Sequence, residues 1–257
     1  MPFHYPCYSR LKSNLGRIDA ICGYATLAVD LLSEELQQNN FPRDFLWGNA
    51  RVRGLVLHGV DEGLLPHRLA QMFIVTVHAQ FEEFLHGFLE EHAPSSAWQK
   101  RKEGESLSQY VLTNLHLLHQ GACAEEREIA EYYRLIRNRF SHVEVNAKRL
   151  ENQRKQVRNL LKVDGDHRPP KPYDQVDYGD FDLFTRSVKS LAAKICLAAR
   201  PSNQLLAEVI KSGSFKALRK YARNRTRFEN ALKQKMLMDF GLDEAEAKPI
   251  IQLVVGG

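Results

Sequence analysis

Cysteine is scarce in this 257-residue chain, with four residues, Cys7, Cys22, Cys123 and Cys196, set far apart and never as Cys-x-x-Cys. That spacing argues against a zinc ribbon or a disulfide framework, and a reducing cytoplasm is the expected setting. Long apolar runs are missing too; none approaches the ~18 residues that a membrane span needs. The opening Met1-Pro-Phe-His-Tyr-Pro-Cys-Tyr-Ser-Arg lacks the charged-then-apolar order of a signal peptide. There is no Walker A loop and no G-x-S-x-G elbow. Internal repeats and low-complexity tracts are absent, and strand-like alternation is confined to a weak stretch at Arg53 to His58.

What is present is helical periodicity in an ordinary globular composition, 44% hydrophobic and 26% charged with a mean hydropathy of −0.40. The pattern predicts an all-α protein, an antiparallel helical bundle with a small helical C-terminal extension. A first helix is expected from Ser13, as N-cap, to Gln38, with Ile18, Ile21, Ala25, Ala28, Leu32 and Leu36 along its buried stripe. Pro42 to Gly63 reads as a loop. A second long helix, Pro66 to His92, carries the aromatic stripe Phe73, Phe81, Phe84 and Phe88, and a shorter one covers Ser106 to His119. The next, Glu125 to Val143, has an acidic first turn that suits the helix dipole, and buries Ile129, Tyr132, Ile136, Phe140 and Val143. Helices over Ala147 to Leu161 and Tyr178 to Ala199 follow, separated by the proline-rich loop around Arg168-Pro-Pro-Lys-Pro. Pro201 marks the expected domain boundary, giving a main bundle of 1–200, with its core at about 65–199 and the 13–38 helix packed on it, and a basic extension of 201–257.

One segment carries chemistry. Glu131-Tyr-Tyr-Arg-Leu-Ile-Arg137-Asn138-Arg-Phe-Ser141-His142-Val closes the 125–143 helix with an Arg, an Asn directly after it, and a His five positions beyond the Arg. A His takes or gives a proton near neutral pH, and a fixed Arg holds a phosphate and its developing charge. Together they suit metal-free cleavage of RNA through the ribose 2′-hydroxyl. On a straight helix Arg137 and His142 are ~140° apart, so the helix must end or bulge between Asn138 and His142, the Arg must reach round, or a second subunit must complete the cleft. The same spacing recurs at Arg53 and His58, where Gly54 and an apolar run follow the Arg.

The Arg137–His142 segment resembles the Arg-x4-His motif of HEPN-domain ribonucleases, in which a polar residue follows the Arg. The resemblance spans roughly Leu65 to Ala199 and implies a cofactor-free, metal-independent endoribonuclease with Arg137, Asn138 and His142 as catalytic group. It further implies an RNA substrate, a homodimer with facing motifs, and a role as a toxin or antiviral defence effector, with a possible antitoxin or defence-system partner. Ser141 is a secondary hydrogen bonder, and Glu82 or Glu83 is expected to fix the Arg137 rotamer. The family's toxins that pair with a nucleotidyltransferase carry a Tyr two positions after the His; here that position is Glu144, so modification at that site is not implied.

The net charge of +5 is unevenly spread. Between Lys211 and Lys235 nine Lys or Arg face one acid, and between Asn146 and Lys171 eight face three. Such clusters attract phosphate backbones. A helix from Ser214 to Met238 is expected to capture RNA through Lys216, Arg219, Lys220, Arg223, Arg225 and Arg227, with Phe215, Tyr221 and Phe228 between them. The alternative reading is a non-catalytic helical module that binds RNA or a protein partner through these surfaces. His116 and His119 lack a third ligand nearby, and Asp239-Phe-Gly241 reads as a helix terminus.

Overall fold

The computed structural model describes the chain except residues 1–2, 58–61, 93–97, 120, 142–145, 165–167, 213–217, 219, 222 and 256–257. All regular structure among the described residues is helical. In order the helices are α1 (Pro6–Gln38), α2 (Pro42–Val52), α3 (Leu65–His92), α4 (Leu107–Asn114), α5 (Ala124–Ser141), α6 (Ala147–Asp164), α7 (Tyr178–Ala198), α8 (Asn203–Ser212), α9 (Arg225–Phe240) and α10 (Glu244–Val255). No helix among the described residues is long and apolar enough to cross a membrane.

Local chemistry explains where helices begin and end. Pro6 opens α1 in the first turn, where a missing N–H costs nothing, so the helix starts seven residues before the expected Ser13. The expected loop at 42–63 contains α2, which has Pro42 in its first turn, Asp44 near its N-terminus and Arg51 in its last turn, each suited to that end. Ser106 caps α4 in a reciprocal box with Gln109. That helix stops at Asn114, short of the expected His119, because His116 takes a positive φ of 56°. His116 and His119 therefore do not share a helical turn. Gly241, at φ 66°, ends α9 in the left-handed conformation, so Asp239-Phe240-Gly241 is a helix terminus.

The chain forms two compact units, one of Met1–Lys12, Phe81–Cys123 and Lys189–Gly257, the other of Ser13–Gln80 and Ala124–Val188. Residues 201–257, expected as an extension, belong to the first unit. Its core gathers Phe3, Tyr5, Phe84, Phe88, Val111, Leu191, Ile195, Leu232 and Ile250. Phe3 stacks on Phe240 with ring centres 6.1 Å apart, while the His4 amide donates to the Phe240 carbonyl at 3.0 Å. α10 packs on both α8 and α9, and Arg200 pairs with Glu246 at 2.7 Å. The Tyr5 hydroxyl donates to the Ala199 carbonyl at 2.8 Å and lies 3.0 Å from His92 Nδ1. Since that hydroxyl proton is committed, the second bond runs from His92 Nδ1–H to the Tyr5 oxygen. Burial lowers the His92 pKa from its ordinary value.

The second unit is organised around α5 and α6, which pack together along their length. Ile129, Tyr132, Tyr133, Leu135 and Ile136 of α5 are buried, as are Leu150, Val157 and Leu161 of α6 and Phe181, Phe184 and Val188 of α7. Burial raises the Cys22 thiol to about 11, and the Cys196 thiol of the first unit to about 12, so neither is a thiolate at neutral pH. Phe140, expected in the α5 stripe, is 38% exposed. The core contact of α5 finishes at Ile136, and the last turn, 137–141, has no buried residue.

Candidate active site

The Arg137 segment stands on a rigidly anchored helix. Glu128, 9% exposed, accepts from Arg127 at 2.6 Å and from Gln153 Nε2 of α6 at 2.7 Å. Glu131 takes a two-pronged bond from Arg134, 2.7 Å on each arm, and a longer contact of 3.5 Å from Arg149 of α6. Paired carboxylates and guanidinium forks of this kind fix geometry as well as charge. The contacts from Gln153 and Arg149 join α5 to α6.

Two buried tyrosines clamp α5 to the segment before α7 and to the first turn of α7. The Tyr132 hydroxyl donates to the Lys171 carbonyl. The Tyr133 hydroxyl, fully buried, donates to Asp180 Oδ1 at 2.8 Å, and its ring lies 4.9 Å from Phe184. Asp180, 3% exposed, also accepts from the Lys171 amide at 3.0 Å and the Asp177 amide at 3.1 Å. Burial raises its pKa against those hydrogen bonds. Asp177 accepts in turn from the amides of Gly179 and Asp180, at 3.0 and 3.3 Å, and from Lys171 Nζ at 2.5 Å. Asp177 and Asp180 thus form a reciprocal cap at the start of α7, with Asp180 where a Glu or Gln usually stands. The sequence carried the signal, Asp177-Tyr-Gly-Asp180 ahead of an apolar run. It gave no indication that Asp180 would also receive a tyrosine from another helix.

The motif residues follow the last buried turn. Arg137 is half-buried and donates from Nη1 to Asn138 Oδ1 at 3.0 Å. Arg127, Arg134 and Arg154 are all paired with carboxylates on their own helices. Arg137 is not; within its unit, among the described residues, its partner is the neutral amide. Arg139 lies over the Tyr173 ring at 4.6 Å, which holds the other side of the turn. Tyr173 is itself fixed, because Gln71 of α3 donates to its carbonyl at 2.7 Å. Ser141 is exposed and is the final residue of α5, so the helix ends between Asn138 and position 142. His142 and Glu144 lie outside the described residues. Glu82 is half-buried and Glu83 exposed on α3, both in the first unit, where Glu83 bears electrostatically on Arg10.

Beside this turn, α6 presents Lys148, Arg149 and Lys155 to solvent together with Asn152 and Asn159. Glu151 is engaged by Arg154 at 2.8 Å on both arms, and that bond lowers its pKa. The outward face of α6 is therefore cationic with hydrogen-bonding amides.

The C-terminal basic segment differs from its expected form. It is not one helix over 214–238: Asn224 adopts an extended conformation and caps α9 by accepting from the Arg227 amide at 3.0 Å. No continuous stripe runs from Leu218 to Arg225, because the cap resets the helix. Lys220 and Arg227 both lie over the Tyr221 ring, at 5.1 and 4.8 Å. Arg225 pairs with Glu229 at 2.9 Å, and Arg223 is exposed. Lys216 and Arg219 lie outside the described residues. The first unit also has a groove of about 450 Å³ lined by His4, Ser9, Lys12, Leu237, Met238 and Gly241, none of them a site residue expected from the sequence.

The chain matches no protein-family model, no curated protein and no solved structure.

Proposed function

We propose that the chain is a metal-independent endoribonuclease of the HEPN type, cleaving RNA by attack of the ribose 2′-hydroxyl on the adjacent phosphate. The observation that supports this reading is Arg137: a half-buried guanidinium on an anchored helix, oriented by Asn138 and paired with no carboxylate among the described residues. A guanidinium in that state keeps its charge and its remaining N–H donors for an anion, and Arg matches phosphate geometry in two-pronged fashion.

In this reading Arg137 binds the scissile phosphate and stabilises the charge that builds on its oxygens. Asn138 holds the Arg rotamer. His142 transfers the proton, from the 2′-hydroxyl or to the departing 5′-oxygen. Ser141 adds a hydrogen bond, and the α6 cations hold the flanking phosphates. The products are a 2′,3′-cyclic phosphate and a 5′-hydroxyl. Two copies with facing motifs, and a role as toxin or defence effector with a partner protein, belong to the same proposal and rest on the resemblance of the motif.

The test is incubation with RNA in excess EDTA, comparing the wild type with Arg137→Ala and His142→Ala. Cleavage by the wild type alone, with cyclic-phosphate ends and no action on DNA, is the expected result. Cleavage that survives in both variants, or wild-type cleavage abolished by EDTA, overturns the proposal.

A further inference from the structure

The outer half of α1 is a helix that its own chain leaves uncovered. Leu11, Leu15 and Cys22 bury its first half, but from residue 23 to 38 no residue is buried. Ala25, Val29, Leu32 and Leu36 are half-buried on one side. On the other side Ile21 is 59%, Tyr24 77%, Leu27 55% and Leu31 56% exposed, with Ala20 and Ala28 exposed between them. This is where the expected stripe fails, since Ile21 and Ala28 face outward. A helix with apolar side chains on both faces is marginal in water unless the second face is covered as well.

The exposed face has the spacing of a coiled-coil seam. Arg17, Ile21, Tyr24, Ala28, Leu31 and Glu35 follow one another at alternating steps of four and three. Read backwards, the same list is complementary to itself. Against an antiparallel copy centred near residue 26, Ile21 meets Leu31, Tyr24 meets Ala28, and Arg17 meets Glu35. The large ring of Tyr24 falls opposite the small Ala28, and the cation at one end falls opposite the anion at the other.

Charge selects both the orientation and the partner. From Ile18 to Gln38 α1 has no Lys or Arg, while Asp30, Glu34 and Glu35 make its outer end acidic. Arg17, Glu34 and Glu35 are exposed and make no ion pair among the described residues. A parallel pair would set Arg17 against Arg17 and Glu35 against Glu35, which is repulsive. The antiparallel pair makes two attractive contacts, and a single sequence supplies both sides, as a two-fold interface requires.

We propose that this seam of α1 joins two copies of the chain as an antiparallel two-helix interface, with the two-fold axis crossing near Thr26. From residue 17 to 35 the seam is about 27 Å long. That is at the small end of specific interfaces, so a dissociation constant on the order of 10 µM is expected. The interface uses none of the motif residues, and its test does not use cleavage; the α1 charge swap and cross-link distinguish it from a dimer with facing motifs.

Sedimentation equilibrium of the full chain from 1 to 500 µM should show a monomer–dimer transition. Leu31→Lys, which puts a cation in the apolar seam, should raise the dissociation constant at least a hundredfold. Arg17→Glu should weaken the dimer about tenfold, and Arg17→Glu with Glu35→Arg should return it to within threefold of the wild type, because the swap restores attraction only in the antiparallel register. Helix content by circular dichroism checks that the variants fold. As a second readout, mixing Tyr24→Cys protein with Ala28→Cys protein should give a mixed disulfide-linked dimer, and the four native cysteines are buried and do not compete. A monomer throughout the concentration range, a dimer unaffected by Leu31→Lys, or cross-linking of position 28 only to itself each overturns the proposal.

Discussion

Arg53 and Arg137 each stand five residues before a histidine and each bonds to an asparagine, yet the structure uses them differently. Arg53 is exposed at the end of α2. It donates from Nη1 to the Asn49 carbonyl at 3.0 Å and to Asn49 Oδ1 at 2.9 Å, closing its own helix just before Gly54 turns the chain at φ 68°. Its donors satisfy carbonyl groups that the helix end leaves open. Arg137 is half-buried on a helix fixed from both sides, and its bond to Asn138 leaves the backbone untouched. One arginine completes local structure. The other is supported by structure and has donors to spare. An identical spacing thus separates into a cap and a candidate site only when the supporting contacts are visible.

The largest expected effect tests that contrast directly. Under the proposed function, Arg137→Ala should lower single-turnover RNA cleavage at least a hundredfold, about 3 kcal/mol of transition-state stabilisation, by analogy with loss of one oxyanion donor. Arg53→Ala should leave cleavage within twofold and cost only about 0.5 kcal/mol of stability. Equal losses of activity in the two variants would erase the distinction.

The support beneath Arg137 can be removed without touching the motif. Asp180→Ala strips a buried acceptor from Tyr133 and from two backbone amides, and should destabilise the protein by about 3 kcal/mol in urea unfolding. Tyr133→Phe leaves the amide bonds in place and should cost about 1–2 kcal/mol. If Tyr133→Phe instead proves neutral, the tyrosine clamp does not hold α5.

A smaller effect distinguishes the two basic regions. Reversing Lys148 and Lys155 on α6 should raise the apparent KM for RNA several-fold and flatten its salt dependence, with kcat little changed. Reversing Arg219, Arg223 and Arg227 tests the role expected of the C-terminal segment, with the same signature predicted. A wild-type salt dependence in that triple variant would leave the segment as a solvated surface.

The smallest effect concerns pH. The folded-state pKa of His92 is below its ordinary value, so the unfolded chain binds the proton more readily. Stability should therefore be fully present above the ordinary histidine value of about 6.5 and decline as pH falls below it. His92→Gln should remove part of that acid sensitivity. Melting temperatures between pH 7.5 and 5.0 provide the measurement.

Much of the architecture was legible because it depends on local periodicity. The aromatic stripe of α3, the acidic start of α5 and the glycine that stops α9 are properties of short segments, and segments of that strength fold as they read. The misreadings arose where distant residues decide. Pro6 starts α1 because Phe3 and Tyr5 find a core formed by Phe88 and Phe240. Phe140 is left outside because the buried face of α5 ends at Ile136. Ile21 and Ala28 face outward because the half-buried side of α1 is the one bearing Val29 and Leu32, and a 3.6-residue period does not say which of two apolar stripes meets the fold.

For the candidate site the division is sharper. The sequence by itself determined the all-α class, the helix that carries Arg137, and the residue types on which the proposed chemistry of Arg137, Asn138 and His142 rests. Side-chain type and helical phase are inherited from the chain directly. Only the tertiary structure decided that Gln153 and Arg149 of α6 reach Glu128 and Glu131, and that Tyr133 ties the motif helix to Asp180. The physical reason is that a hydrogen bond or ion pair forms where two groups meet within ~3 Å. For Tyr133 and Asp180, 47 residues apart in the chain, that meeting is a property of packing.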